Sequence, residues 1–424
     1  MTSIANDTPV KTTTGHQDPV TPWFMFVYWF AQVAAWIGIL TPVVVTIAIR
    51  VADITTPAQK AAQLGTVLSI GALGAMLAAP IWGAVSDRTT ARIGKRKLWM
   101  IVGAGLLLLG LVIMAFSPNM VVFGAGWLIC QVGSNANQAA LNAVMPDVVP
   151  ERQRGIMSGL LGLSVTVAML VGTFITQFTS GNTVAMFLVP WLFIPIALGM
   201  FLATFKDSPA DRNAVPAFRL KDLALSFWIN PVQHRDFGWA FLSRFLLFLG
   251  TAFFMTYQAY FLTDHLKVGA GELARFVFFS TFVTAIITVI VSLLGGWLSD
   301  RFSRRKPFVF VAALIAGAGL LVIGFSHDFT QFMVGAALVS LGQGLYYAVD
   351  IALAAAVLPS NEEAAKGMGV FQIANSLPQS LAPILAPVFL AIGAGGDNYP
   401  AVFIAGTVFA IAGALVLGPV KNAK

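Results

Sequence analysis

The chain has 424 residues, of which 58% are hydrophobic and only 10% charged, and its mean hydropathy is +0.82. This composition is far more apolar than that of a soluble protein, so it predicts an integral membrane protein without a large soluble domain. The single cysteine, Cys130, excludes an intrachain disulfide and a cysteine-rich metal site. We expect no cofactor, no metal and no enzymatic activity, because no phosphate loop or nucleophile–base pair is recognisable.

Twelve apolar runs follow one another along the chain, and each is long enough for a bilayer-spanning helix of about 20 residues. They predict an all-α integral membrane protein with twelve transmembrane helices in two pseudo-symmetric sets of six. Within the longest polar stretch, Leu220, Leu223, Phe227 and Trp228 recur at helical spacing, which predicts a short amphipathic helix. The predicted organisation is a tail over 1–22, a six-helix bundle over 23–205, a linker over 206–236, a second six-helix bundle over 237–419 and a tail over 420–424.

The basic residues are distributed unevenly between the two sides of the predicted helices. If both termini are cytoplasmic, 20 Lys and Arg residues lie in cytoplasmic segments and 4 in outer loops, and Arg244 lies within a span. This bias follows the positive-inside rule. We therefore expect a multi-pass protein of the cell membrane with both termini in the cytoplasm. The net charge of +7 is then a feature of topology, and nucleic acid is not expected as a partner.

The two halves of the chain contain matching segments. Gly83 to Arg88 matches Gly296 to Arg301 with a shift of 213 residues. The same shift carries Val144-Met145-Pro146 onto Val357-Leu358-Pro359, and Asn137 onto Asp350. Three matches at one offset predict a duplicated six-helix unit.

The matching segment is a recognisable signature. Gly83-x-x-x-Asp87-Arg88 with a following basic cluster resembles the loop between the second and third helices of the major facilitator superfamily, and Gly296, Asp300 and Arg301 repeat it. The longer spacer in the first copy is similar to that of glycoside-pentoside-hexuronide symporters and plant-type sucrose carriers. The resemblance implies the major facilitator fold and transport by alternating access. It also implies a cytoplasmic gate formed by Gly83, Asp87, Arg88, Asp300 and Arg301.

Each part of this loop has a physical interpretation. Gly83 is expected to let helices approach closely, Asp87 to cap a helix or pair with a cation, and the basic run to bind anionic lipid heads. The alternative is a role in topology and gate stability alone. Residues 23–48 and 62–84 contain no acid, whereas sodium-coupled glycoside carriers have carboxylates in the second helix. Sodium coupling is therefore not expected.

Two ionisable residues lie deep within predicted spans, namely Arg244 in the seventh and Asp350 in the tenth. An ionisable group inside a bilayer costs at least about 2.5 kcal/mol on insertion scales, so it usually has a partner or a function. Both lie about 10–12 Å from the cytoplasmic ends of their helices. In the family that the chain resembles, these two helices line the central cavity. We expect Arg244 and Asp350 to pair and protonation of Asp350 to release Arg244. A permanent structural ion pair is the alternative.

Neutral polar and aromatic side chains recur at helical spacing on helices 1, 4, 7, 10 and 11. Amide groups beside aromatic faces suit a hydroxyl-rich ligand, although the same amides also form hydrogen bonds between helices. Three prolines, Pro378, Pro383 and Pro387, are expected to interrupt helix 11. The predicted substrate-binding residues are Tyr28, Gln32, Trp36, Gln131, Asn135, Gln138, Gln258, Tyr346, Tyr347, Gln372 and Asn375.

The sequence therefore predicts a monomeric secondary transporter that couples uptake of a small molecule, a sugar, to the proton gradient. Asp350 is the predicted proton acceptor and Arg244 its partner. Three alternatives stay open. The solute is another neutral polar or lipophilic compound such as a nucleoside, the carrier is an uncoupled facilitator, or the protein is a membrane receptor that keeps a carrier fold.

Overall fold

The computed structural model describes residues 19–57, 59–209, 233–269, 271–302, 305–357, 364–393 and 398–420. Within these ranges the chain forms long helices and no strands, so the predicted all-helical membrane fold is confirmed. The predicted linker helix around Leu220 to Trp228 lies outside the described residues. The helices are α1 (Pro22–Ile54), α2 (Lys60–Asp87), α3 (Lys97–Ala115), α4 (Met120–Val148), α5 (Glu151–Thr179), α6 (Thr183–Thr204), α7 (Arg235–His265), α8 (Leu273–Phe302), α9 (Lys306–Gly324), α10 (Phe329–Val357), α11 (Ala364–Leu390) and α12 (Tyr399–Val416).

Eleven of these described helices are long and apolar enough to cross a membrane. The other is α4, whose 29 residues carry five amide side chains between Gln131 and Asn142. Those amides lower its hydropathy, while its length still exceeds the roughly 20 residues that a span needs. The amide side chains of α4 are unusual in a membrane span, so we expect them to have a structural or functional role.

Side-chain caps fix where several helices begin. Thr21 accepts a hydrogen bond from the Phe24 N–H at 3.2 Å, and Pro22 occupies the first turn of α1. Asn119 caps α4, Asn182 caps α6 and Asn398 caps α12 in the same way. These four polar residues satisfy amide groups that would otherwise be left without partners at helix ends.

Glycines allow the tightest contacts within each half. Gly110 packs against the Gly126 carbonyl between α3 and α4, and Gly319 packs against the Gly335 carbonyl between α9 and α10. Corresponding glycines in these two helix pairs are separated by 209 residues, not 213. The next helix starts ten residues after Asp87 in the first copy but six residues after Asp300 in the second, and this difference of four changes the offset after the signature. The predicted matches of Asn137 with Asp350 and of Val144 with Val357 are therefore wrong, and Asn137 corresponds to Tyr346 and Val144 to Leu353.

The three prolines do not interrupt α11, because the helix continues through all of them to Leu390. Pro387 has no N–H, so it leaves the Pro383 carbonyl without its helical partner. That carbonyl instead accepts a hydrogen bond from the Tyr257 hydroxyl on α7 at 3.4 Å. A neighbouring helix thus satisfies the group that proline frees, which explains why the predicted interruption is absent.

The two halves, α1–α6 and α7–α12, meet mainly where α2 packs against α11 and α5 against α8. We call the end of the bundle that carries the α1–α2, α5–α6, α7–α8 and α11–α12 connections the distal end, and the opposite end the terminal end. Contacts between the halves concentrate toward the distal end. Tyr260 donates to the Ala48 carbonyl at 3.1 Å, and the Tyr257 hydroxyl shares its one hydrogen between the Pro383 carbonyl and the Ala61 carbonyl at 3.3 Å.

Candidate transport site

An ion pair lies between α7 and α10 inside the second half. Arg244 Nη2 is 3.1 Å from Asp350 Oδ2, and the two side chains are only 8% and 7% exposed. From the helix ends at Arg235 and Val357, the two residues lie about 14 Å and about 11 Å into the bundle from the terminal end. The structure therefore brings together the two ionisable residues that the sequence places inside spans.

Aromatic rings surround the guanidinium of this pair. The Arg244 Cζ atom lies 4.7 Å from the Phe371 ring centre on α11 and 5.4 Å from the Phe248 ring centre on α7. Phe248 in turn contacts Tyr346 edge to face at 5.7 Å and Tyr347 at 6.0 Å. Such rings stabilise a desolvated cation through the negative potential of their faces. Sequence analysis missed Phe371 and Phe248, because phenylalanines in an apolar helix give no signal.

The ion pair leaves several buried polar atoms without a hydrogen-bond partner among the described residues. These atoms are Arg244 Nε, Asp350 Oδ1 and the Tyr346 hydroxyl. The hydroxyl lies close to the Asp350 carboxylate, one helical turn away, but outside hydrogen-bonding geometry. Buried polar groups are nearly always paired, so a cluster of unpaired ones is a functional signal. The site has capacity for a proton on Asp350 and for a polar group beside Arg244.

In the first half, Tyr28 and Gln32 tie α1 to α4. The Tyr28 hydroxyl donates to the Leu141 carbonyl at 2.8 Å, and its fully buried ring stacks on Phe201. Gln32 Nε2 donates to Asn142 Oδ1 at 2.7 Å, while Gln32 Oε1 is buried without a partner. Tyr28 is thus placed for packing between helices, whereas Gln32 keeps a free acceptor.

The amide residues of α4 divide between two environments. Asn137 donates to the Met100 carbonyl on α3 at 2.9 Å, so it joins helices. Gln138 is 8% exposed, and both its amide atoms lack a partner among the described residues. Asn135 donates within its own helix to the Gln131 carbonyl at 2.8 Å, and both residues are half-buried. Gln138 is therefore the candidate on α4 with the greatest unmet hydrogen-bonding capacity.

The remaining candidates are dispersed. Trp36 is half-buried and packs against the buried cluster of Val33, Ile37 and Ala168. Gln258 on α7 is buried, Asn375 on α11 is half-buried, and Tyr347 on α10 is 43% exposed. The side chain of Gln372 lies outside the described part of the structure.

The signature loop differs from one of its expectations. A Cβ atom at Gly83 would meet no atom of the described residues within 4 Å, so the predicted close helix approach at this glycine is absent from this structure. Asp87 pairs with a cation as expected, since its carboxylate lies 2.6 Å from Arg96 Nη1. Arg88 donates back to the Ala84 carbonyl of its own helix at 2.8 Å.

Arg96 is the centre of the signature loop, and sequence analysis did not single it out. It is 5% exposed, and it also contacts Asp147 of α4 at 3.0 Å and the Ser86 hydroxyl at 3.0 Å. Lys95 pairs with the same Asp147 at 3.3 Å. Lys95 and Arg96 of the basic run therefore bind protein carboxylates. In the second copy, Arg301 lies over the Trp297 ring, and the Asp300 side chain lies outside the described residues.

Asp207, just after α6, fixes the start of α3. Its Oδ2 atom accepts from the backbone N–H groups of Arg96 at 2.7 Å and Lys97 at 2.9 Å. Gly94 lies directly beneath this carboxylate with φ of +114°, a conformation that L residues rarely adopt. The cap and the glycine together anchor the first residues of the linker to the signature loop.

Gly94→Ala is expected to destabilise the protein by about 1–3 kcal/mol, because the new methyl group strains the backbone and displaces Asp207. The thermal denaturation midpoint of the purified protein measures this loss. Gly105→Ala on α3 is the matched control, since its Cβ meets no atom within 4 Å. Equal midpoints for the Gly94 variant and the parent would contradict the assigned cap.

Two six-helix bundles, the second of which holds a buried and incompletely satisfied ion pair between α7 and α10, form the architecture of a membrane carrier. The model of the Major Facilitator Superfamily matches residues 24–282 and 240–424, and the chain belongs to this family. It is a membrane transporter of the major facilitator fold.

Similar proteins are named as transporters of different solutes. The chain is 26% identical over 351 residues to a gentisate transporter of Corynebacterium glutamicum, covering 80% of this chain and 75% of the relative. It is 26% identical over 310 residues to a D-xylose transporter of Levilactobacillus brevis, covering 66% of each. Among solved structures, a D-xylose-proton symporter aligns with a TM-score of 0.73 at 15% identity, over 95% of this chain and 98% of that one. A bacterial Spinster homologue in an inward-facing, unoccupied conformation aligns with a TM-score of 0.69 at 16% identity, over 94% of this chain and 95% of that one.

Proposed function

We propose that this protein is a secondary active transporter that couples uptake of a small polar solute, most simply a sugar, to proton entry by alternating access. One observation carries the proposal. Within the described part of the chain, the buried Arg244–Asp350 pair leaves Arg244 Nε and Asp350 Oδ1 without a hydrogen-bond partner, so it has the capacity to exchange a proton and a ligand contact. Ionisable groups inside membrane helices are expensive and mark proton paths.

The proposed coupling step is the protonation of Asp350. The proton adds to the carboxylate and cancels the charge that holds Arg244 Nη2 at 3.1 Å. The guanidinium stays charged and loses its partner, so its donors become available to the solute. Release of the solute and the proton on the other side restores the ion pair. Both partners lie in the second half, so this step changes the ligand affinity of that half directly.

The case for a sugar rests on the first half. Gln138 and Gln32 offer buried amide atoms without partners, and amides both donate to and accept from hydroxyl groups. The spacer of the signature loop resembles that of glycoside-pentoside-hexuronide symporters, and a relative is named as a D-xylose transporter. Gln32, Gln138, Tyr346 and Arg244 are the proposed substrate contacts.

An aromatic carboxylate is the second candidate solute. Arg244 presents an unpartnered Nε between the faces of Phe371 and Phe248, which suits a planar ring bearing a carboxylate. Asp350 then occupies the place of the substrate carboxylate in the unloaded protein. The relative that covers 80% of this chain is named as a gentisate transporter.

We also propose the orientation and setting of the transporter. The excess of 20 basic residues over 4 assigns the terminal end to the cytoplasm of a cell membrane. The distal end, where the halves are in contact, then faces outward, and the structure represents a cytoplasm-facing state. We propose that the carrier works as a monomer, with 1–22 and 420–424 as cytoplasmic tails and 206–236 as the linker.

A thermal-shift panel tests the substrate class. The purified protein is mixed with pentoses, hexoses, disaccharides, nucleosides and gentisate, each at pH 5.5 and pH 7.5. A solute at 100 times its dissociation constant stabilises the folded state by about 2.7 kcal/mol. We expect stabilisation by a sugar or by gentisate, greater at the lower pH because a protonated Asp350 frees Arg244. Stabilisation by nucleosides alone would contradict both candidate solutes.

A further inference from the structure

An ion pair joins the two halves at the distal end, outside the transport site. Lys60 at the start of α2 belongs to the first half, and Asp264 at the end of α7 belongs to the second. Lys60 Nζ contacts Asp264 Oδ1, with side-chain exposures of 19% and 21%. This ion pair crosses between the halves, whereas the pairs at Asp87, Asp147, Glu151 and Asp350 each lie within one half.

The carboxylate of Asp264 is held in place by its own half. The Tyr399 hydroxyl on α12 donates to Asp264 Oδ2 at 2.7 Å, and the Thr263 hydroxyl donates to Oδ1 at 2.9 Å. His265 stacks on Phe261 at 4.9 Å and supports the same turn. These contacts persist whether or not the halves are together, so the acceptor is preorganised.

Lys60, by contrast, gains its partners only when the halves meet. Its ammonium lies 5.1 Å from the Tyr260 ring centre in addition to its contact with Asp264. Tyr260 itself reaches across to the Ala48 carbonyl at 3.1 Å. Separation of the distal ends would return Lys60 to water and break all three contacts at once, while Asp264 would keep Tyr399 and Thr263.

Near this contact between the halves, α1 and α7 each contain a π-helical turn, Pro42–Thr46 in α1 and Phe261–His265 in α7. Such turns are rare and occur often at functional sites. The turn in α7 carries Asp264 itself. At the distal end, a charged contact between the halves therefore lies beside irregular helix segments in both halves.

We propose that Lys60 and Asp264 form a latch that holds the distal end closed and is broken and remade in every transport cycle. Tyr399 and Thr263 are positioning residues that keep Asp264 aimed at Lys60. The proposal rests on the proposed function only for alternating access, and its test requires no solute. Failure of the latch would leave the transport site unaffected, and failure of proton coupling would leave the latch unaffected.

Spin-label distances across the distal end test the latch. Cys130 is the one cysteine in the chain, so Cys130→Ala gives a cysteine-free background. Labels at Ala52→Cys and Gly271→Cys, both exposed positions on opposite halves, report the separation by double electron–electron resonance. A short distance between the labels reports a closed distal end and a long distance an open one. Lys60→Gln and Asp264→Asn are each expected to raise the ratio of the long-distance population to the short-distance population about fivefold. Lys60→Arg is the matched control and should leave the ratio close to that of the parent.

The charge swap supplies the decisive comparison. Lys60→Asp combined with Asp264→Lys is expected to return the ratio toward that of the parent, because the attraction is restored with reversed polarity. The parent is also measured at low and high salt, where screening should raise the ratio without any substitution. Distances in Lys60→Gln and Asp264→Asn that match the parent, or a parent ratio that is independent of salt, would overturn the latch.

Discussion

Asp350→Asn is expected to abolish concentrative uptake while leaving solute exchange intact. The amide has nearly the same shape as a protonated carboxyl group but cannot release a proton, so the carrier is fixed in its proton-loaded form. At a membrane potential of about 100 mV, one co-transported proton supplies about 2.3 kcal/mol, enough for a roughly 40-fold accumulation. In proteoliposomes the variant should lose this accumulation and equilibrate the solute instead. Labelled-solute counterflow measures the exchange that remains.

Two outcomes would contradict this assignment. Full accumulation by Asp350→Asn would show that coupling does not need the carboxylate, and loss of counterflow in a folded variant would show that Asp350 serves binding rather than coupling. Glu151→Gln is the matched control, because that carboxylate is 89% exposed at the start of α5. It should transport like the parent.

Arg244→Ala is expected to damage stability as well as transport. It leaves the Asp350 carboxylate buried without its cation, and removing one partner of a buried pair costs about 3–5 kcal/mol. We expect a large fall in folded yield and denaturation midpoint in detergent. The double variant Arg244→Met with Asp350→Leu should recover much of that stability, because neither charge remains, yet it should not transport. Size-exclusion recovery and thermal denaturation measure the difference.

The rescue by the double variant distinguishes the ion pair from ordinary packing. Arg244 also fills space between Phe371 and Phe248, so Arg244→Met alone is the matched comparison, because it keeps the packing but leaves Asp350 without its cation. A purely steric role would make Arg244→Met as stable as the double variant. Arg244→Lys keeps the charge but loses the planar guanidinium. It should fold close to normally and transport poorly. Normal transport by Arg244→Lys would contradict the role of the guanidinium as a ligand contact.

Residue chemistry made the fold and the central ion pair predictable. A bilayer admits few polar residues, so apolar runs mark the helices and Arg244 and Asp350 stand out within them. The two residues meet at 3.1 Å because they lie at similar depths in neighbouring helices. The fixed rise per residue of an α-helix, about 1.5 Å, makes these depths predictable from the sequence.

Other features depend on packing that the sequence pattern does not encode. Gly83 has the signature position, yet a Cβ atom there would meet no atom of the described residues within 4 Å, while Gly103 and Gly110 carry the tight contacts of α3. The offset between the two halves changes from 213 to 209 because the loops before α3 and α9 differ in length. The sequence pattern therefore pairs Asn137 with Asp350, whereas in the structure it corresponds to Tyr346. Asp264 lies at the end of a helix and looked like an ordinary loop acid, because its cation, Lys60, is distant in sequence.

Proton flux measured together with solute flux tests the central claim most directly. The parent protein is reconstituted into vesicles containing a pH indicator, with no pH gradient or potential imposed, and the solute that stabilises the protein is added outside. We predict that solute entry acidifies the interior, and that Asp350→Asn equilibrates the solute across the membrane without any acidification. Solute entry into parent vesicles at constant internal pH would show an uncoupled carrier and contradict proton coupling through Asp350.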